Sequence, residues 1–158
     1  MGFERSRRRI AERMRAVLAG EGFLRTDTRR RIGMEDESFA SPATVEVLDT
    51  AERHGADPDV ALAAATTVAL LGAFVRVRTE IEPGSEADAI NAGDLLLSLA
   101  YGEAGAAGTA ALERTLDAAV TWIASGDPRA LLEHDHAICN IAAGANAERP
   151  RVDGGDSR

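Results

Sequence analysis

The first apolar residues of the chain, Phe3, Ile10, Met14, Val17 and Leu18, lie near helical spacing among charged neighbours, and Gly20 follows them. That period puts them on one stripe of a basic helix ending at Gly20. Residues 20–41 mix Gly, Arg, Thr, Asp and Glu and read as a linker with a short helical turn. Clearer signals come next. Ser41-Pro42 sets an N-cap residue before a proline at the first helical position, and His54-Gly55 closes that helix. Asp57-Pro58 repeats the device and opens a long apolar helix that Pro83-Gly84 stops. Ser85, with Glu86 and Asp88 in the first turn behind it, starts a helix expected to end at Tyr101-Gly102. Thr109 begins another, closed by Ser125-Gly126, and Asp127-Pro128 opens the last, which ends near Gly144.

One stretch admits two periods. Residues 74–81 alternate as a strand would, yet Leu70, Phe74, Val77 and Ile81 recur at helical spacing and continue the preceding helix. Helix is the better reading, because no other segment offers a strand partner. The expected fold is all-α, a bundle of about six helices. Residues 1–41 form a basic N-terminal helix and linker, residues 42–144 the helical bundle domain, and residues 145–158 a polar tail expected to be disordered.

Composition narrows the function classes. The 158 residues are 45% hydrophobic, enough for one sizeable core, and only 4% aromatic, which leaves little for stacking nucleic-acid bases. The net charge of −8 argues against wholesale binding of nucleic acid or anionic membrane. Cys139 is the single cysteine, which excludes an internal disulfide and fits a reducing cytoplasm. Every basic residue is Arg and Gln is absent, so the acidic, Ala-rich chain suggests a GC-rich genome and a salty, halophilic cytoplasm.

Charge is unevenly placed. Residues 1–31 carry a net +6 and the remainder −14. This basic arm admits three readings: a solvated helix with i,i+4 pairs such as Glu4–Arg8, a helix docked on the acidic body or an acidic partner, or a segment binding lipid headgroups or nucleic acid. No signal peptide is expected, because Glu12, Arg13, Arg15 and Glu21 interrupt the apolar region it would need. The longest uncharged run, Val60 to Val75, is sixteen residues, short of the roughly 20 that span a bilayer, and a buried core helix is expected there.

Residues Ile90-Asn91-Ala92-Gly93-Asp94-Leu95-Leu96-Leu97-Ser98-Leu99-Ala100-Tyr101 resemble the "ILAGDxLLxxAF" helix of trans-polyprenyl diphosphate synthases, which have the all-helical class I isoprenoid synthase fold. Neighbouring segments fall in the family's order. Pro42 through Glu80 is similar to the stretch from its "GKRLRP" turn to its "HTxSLxHDD" helix, with residues 70–81 where "LLHTFSLIHDDI" would stand. Residues 123–127 occupy the place of "xxEGQxxD". The resemblance covers residues 42–133.

The resemblance implies a prenyltransferase that holds Mg²⁺ and diphosphate between Asp-rich motifs, and the departures concern those motifs. Hard cations need several carboxylate oxygens. Thr79 and Glu80 stand in place of the paired aspartates, and Arg76 and Arg78 precede them with the opposite charge. Phe39-Ala40-Ser41 replaces the basic diphosphate clamp. Only thirteen residues separate Glu80 from Asp94, so the loop carrying the family's paired Arg is missing. Gly126-Asp127-Pro128 loses the Gln and Asp of the third motif, and the chain ends before a second Asp-rich motif. Arg76, Arg78, Thr79, Glu80, Asp94 and Asp127 are thus degenerate motif positions, with no catalytic residue, metal ligand or cofactor expected among them.

Other clusters carry less. Glu133-His134-Asp135-His136 with Cys139 invites a metal reading, but His134 and His136 point about 200° apart on a helix. His136 or Asp135 with Cys139 supplies two ligands, where a structural zinc site needs four. Asp88 and Asp94 do not align on one helical face, and Asp94 is expected to cap or hydrogen-bond within the bundle; Glu80 and Glu82 read as a solvated acidic patch. The leading expectation is a catalytically inert polyprenyl-synthase-like protein, cytoplasmic, acting as a partner or regulatory subunit or binding an isoprenoid. It would form a homodimer, or a heterodimer with a full-length prenyl synthase, and bind no nucleic acid. The alternative is a small helical interaction module, unrelated to synthases, that acts through its basic arm.

Overall fold

The structure is a computed structural model, and it describes residues 2–19, 29–30, 32–34 and 36–107. Among these it contains four α-helices and no strand: α1 (Phe3–Leu18), α2 (Pro42–Arg53), α3 (Pro58–Thr79) and α4 (Glu86–Ala107). The expected all-α class holds. The two further helices expected from Thr109 and Asp127 onward lie outside the described residues, as does the tail.

Local chemistry sets the boundaries. The Ser41 hydroxyl accepts a hydrogen bond from the Thr44 N–H, and Pro42 occupies the first helical position of α2. The helix ends at His54, followed by Gly55 at a φ of 84°, a left-handed conformation that glycine adopts without a Cβ penalty. One carboxylate oxygen of Asp57 accepts from the N–H groups of both Asp59 and Val60 and starts α3. Ser41→Ala is expected to cost about 1 kcal/mol of stability, read from the chemical-denaturation midpoint, because it orphans a first-turn N–H.

The ambiguous segment is helical through Thr79. Helix α3 stops there, and the chain leaves the helical conformation at Glu80, two residues before Glu82, the residue that Pro83 itself disfavours as helical. Helix α4 runs past the expected stop at Tyr101-Gly102 to Ala107. Two glycines in its last two turns each disfavour helix by about 1 kcal/mol. Burial of Ala100, Glu103 and Ala104 on its inner face outweighs them.

Helices α3 and α4 form the principal packed pair, and their connection spans 80–85. Six extended residues reach about 20 Å, too little to return along a 22-residue helix of about 33 Å, so the two run antiparallel. They cross closely at Gly93, where a Cβ would lie 3.0 Å from Arg78 Cδ and 3.5 Å from Phe74 Cδ2. Gly93→Val is expected to destabilise by about 1–3 kcal/mol through overpacking, measured by thermal or urea unfolding. Gly72 is the opposite case: nothing lies within 4 Å of a Cβ built there. Gly72→Ala is therefore expected to stabilise the chain by up to about 1 kcal/mol in the same assay.

Helix α3 is the centre of the core. Ala61, Ala65, Leu70, Leu71 and Phe74 are buried on several sides, with α1, α2 and α4 all packed against it. By length and composition it could cross a bilayer, but most of its apolar window is buried inside the protein, as core helices are. Helix α1 joins the same core through Ile10, Met14 and Leu18, the predicted stripe; Phe3 does not share it and is exposed at the helix start.

Candidate functional site

Four of the degenerate motif positions cluster where α3 ends. Arg76 and Arg78 lie in its last turn, both half-buried, and the Arg78 stem lies over Gly93. The Thr79 hydroxyl donates to the Val75 carbonyl at 2.7 Å, and the Glu80 N–H donates to the Arg76 carbonyl at 2.9 Å. Both Thr79 and Glu80 are exposed.

The electrostatics of this end differ from those of a metal site. A helix C-terminus carries partial negative charge, and cations beside it are stabilising by about 0.3–1 kcal/mol. Arg76 and Arg78 supply that charge here. Paired carboxylates at the same place would instead add to the negative end and need a bound cation to offset it. Among the described residues, no group of three or more His, Cys, Asp or Glu is placed to hold a metal ion.

Asp94 has none of the expected bundle contacts among the described residues. It is exposed on α4, and no described residue caps or hydrogen-bonds it. The reason is its register: the buried stripe of α4 runs through Ala89, Ala92, Leu96 and Ala100, and Asp94 falls on the opposite face. Asp88, six residues earlier, is half-buried and has a partner of its own. Asp127 and the cluster from Glu133 to Cys139 lie outside the described residues.

Helix α1, the described helix of the basic arm, is built into the body. Arg9 pairs with Glu52 of α2 at 2.7 Å, and Arg15 with Glu37 at 2.7 Å. Arg13 grips Glu103 of α4 with two bonds of 3.1 Å, from Nε and from a terminal nitrogen. The Ser6 hydroxyl donates to the Asp49 carboxylate, and Arg7 donates to the Asp36 carbonyl at 2.9 Å. Glu4 stands 3.9 Å from Arg7, at i,i+3, rather than pairing with Arg8 as the spacing suggested. Of the three readings of the arm, docking on the chain's own acidic side chains is the one these contacts realise.

Magnitudes show what holds α1 in place. Burying Ile10, Met14 and Leu18 contributes about 1.5–3 kcal/mol each. Exposed ion pairs contribute about 0–1 kcal/mol each, so the arginines orient a helix that apolar burial anchors. The Glu103 side chain is only 11% exposed and Arg13 42%, which makes their pair the most protected from screening.

Glu103 is the residue that sequence reasoning passed over. It sits at i+7 from Leu96 and i+3 from Ala100, a carboxylate on the apolar stripe of α4, and that position was the available signal.

The loop before α2 is fixed by similar means. Asp36 accepts from the Ser38 N–H at 3.0 Å, and the Arg15–Glu37 pair holds the next residue. The Ser38 backbone bond, then its hydroxyl, holds the Asp36 carboxyl below its ordinary value of 3.8, with the Arg7 charge assisting. A depressed carboxyl contributes stability above its unfolded pKa and loses it as pH falls through the folded value. Asp36 is thus expected to titrate below 3.8 in a carboxyl-resolved NMR titration, and Ser38→Ala to raise its midpoint.

No family model, no curated protein and no solved structure matches this chain.

Proposed function

We propose that the chain is a non-catalytic, polyprenyl-synthase-like helical protein that serves as a partner subunit of a full-length prenyl synthase. The observation that carries this reading is the crossing at Gly93. There the segment resembling "ILAGDxLLxxAF" packs on the segment resembling "LLHTFSLIHDDI", through Phe74 and Arg78. The two segments that carry the resemblance are thus the two members of the antiparallel α3–α4 pair. At the same end, two arginines and a back-bonded threonine stand where the resemblance would require metal-binding carboxylates. Without such groups, a departing diphosphate loses the charge stabilisation its chemistry needs.

The partner role is favoured over isoprenoid binding by the packing of α3. A prenyl chain needs an open apolar cavity, yet Leu70, Leu71, Phe74 and Val77 are closed into the core. The interaction-module alternative needs a free basic arm, and α1 is engaged with α2, α3 and Glu103.

The purified chain, given isopentenyl diphosphate, an allylic diphosphate and Mg²⁺, is expected to form no condensation product. Mg²⁺-dependent product formation would sink the non-catalytic reading. Saturable binding of a labelled prenyl diphosphate by the isolated chain would replace the partner role with ligand binding.

A further inference from the structure

We draw no further inference here: the strongest candidate, the open face on the C-terminal half of α3 at Gly72, Val75 and Thr79, continues a stripe buried at Ala61, Ala65 and Val68, but nothing in the structure shows what covers it.

Discussion

Met14→Ala is expected to destabilise the protein by about 2–5 kcal/mol, enough to unfold a marginal domain of this size. Met14 is fully buried on α1, between Ile10 and Leu18 and within the same apolar cluster as α2, α3 and α4. Removing its side chain forfeits transfer energy and leaves a cavity that the backbone relaxes only in part. Circular dichroism followed through urea unfolding measures the loss, and one cooperative transition is expected for the variant as for the parent. A loss below about 0.5 kcal/mol, or the melting of α1 alone, would show that the basic helix is an appendage rather than part of the core.

Arg13→Ala is the second large effect, expected at about 1–3 kcal/mol. The variant strands the Glu103 carboxylate, whose side chain is 11% exposed, without either of its two donors. Breaking a buried pair from one side costs more than the pair contributes, because the remaining charge stays desolvated. The exposure of Arg13 admits water and keeps the figure below that of a fully buried pair. Replacing Glu103 in the same background, as Arg13→Ala/Glu103→Leu, is expected to recover much of the loss, since an apolar side chain suits that stripe. Arg9→Ala serves as the comparison and is expected to cost less, about 1 kcal/mol, because its partner Glu52 is 30% exposed and stays hydrated when the arginine is removed. If the two arginine variants lose the same stability, protection of the Glu103 carboxylate is not what distinguishes them.

The helices were legible where backbone chemistry is local. Ser41-Pro42 and Asp57-Pro58 start α2 and α3 in the structure as their sequence signatures require. Each signature acts through one side chain and the N–H groups two or three residues away, so it depends on the local sequence. Helix ends were less legible. The end of α4 depended on whether burial of Glu103 and Ala104 would outweigh Gly102 and Gly105, a balance between local propensity and packing on a distant helix. The early stop of α3 depended on how its connection turns toward α4.

The candidate site was legible in the identity of its residues and not in their surroundings. Thr79, Arg76 and Arg78 could be picked out by position, but that the Arg78 stem lies over Gly93 depends on the α3–α4 crossing. The face that Asp94 occupies was not legible either, because it follows from the register of the buried stripe, set by Ala92 and Leu96 beside it. The net +6 of residues 1–31 was visible as a sum, whereas the carboxylates that meet Arg15, Arg9 and Arg13 lie 22 to 90 residues away. Charge counted along a chain gives the magnitude of such an asymmetry; only the fold decides which carboxylates meet it.

The partner-subunit reading is tested most directly by affinity purification of the tagged full chain from its native host at native salt, with bound proteins identified by mass spectrometry. Stoichiometric recovery of a full-length prenyl synthase is the expected result, retained by Arg9→Ala because that half-buried pair orients α1 while apolar burial anchors it. Recovery of the chain alone, with the host synthase left in the unbound fraction, would contradict the proposed role.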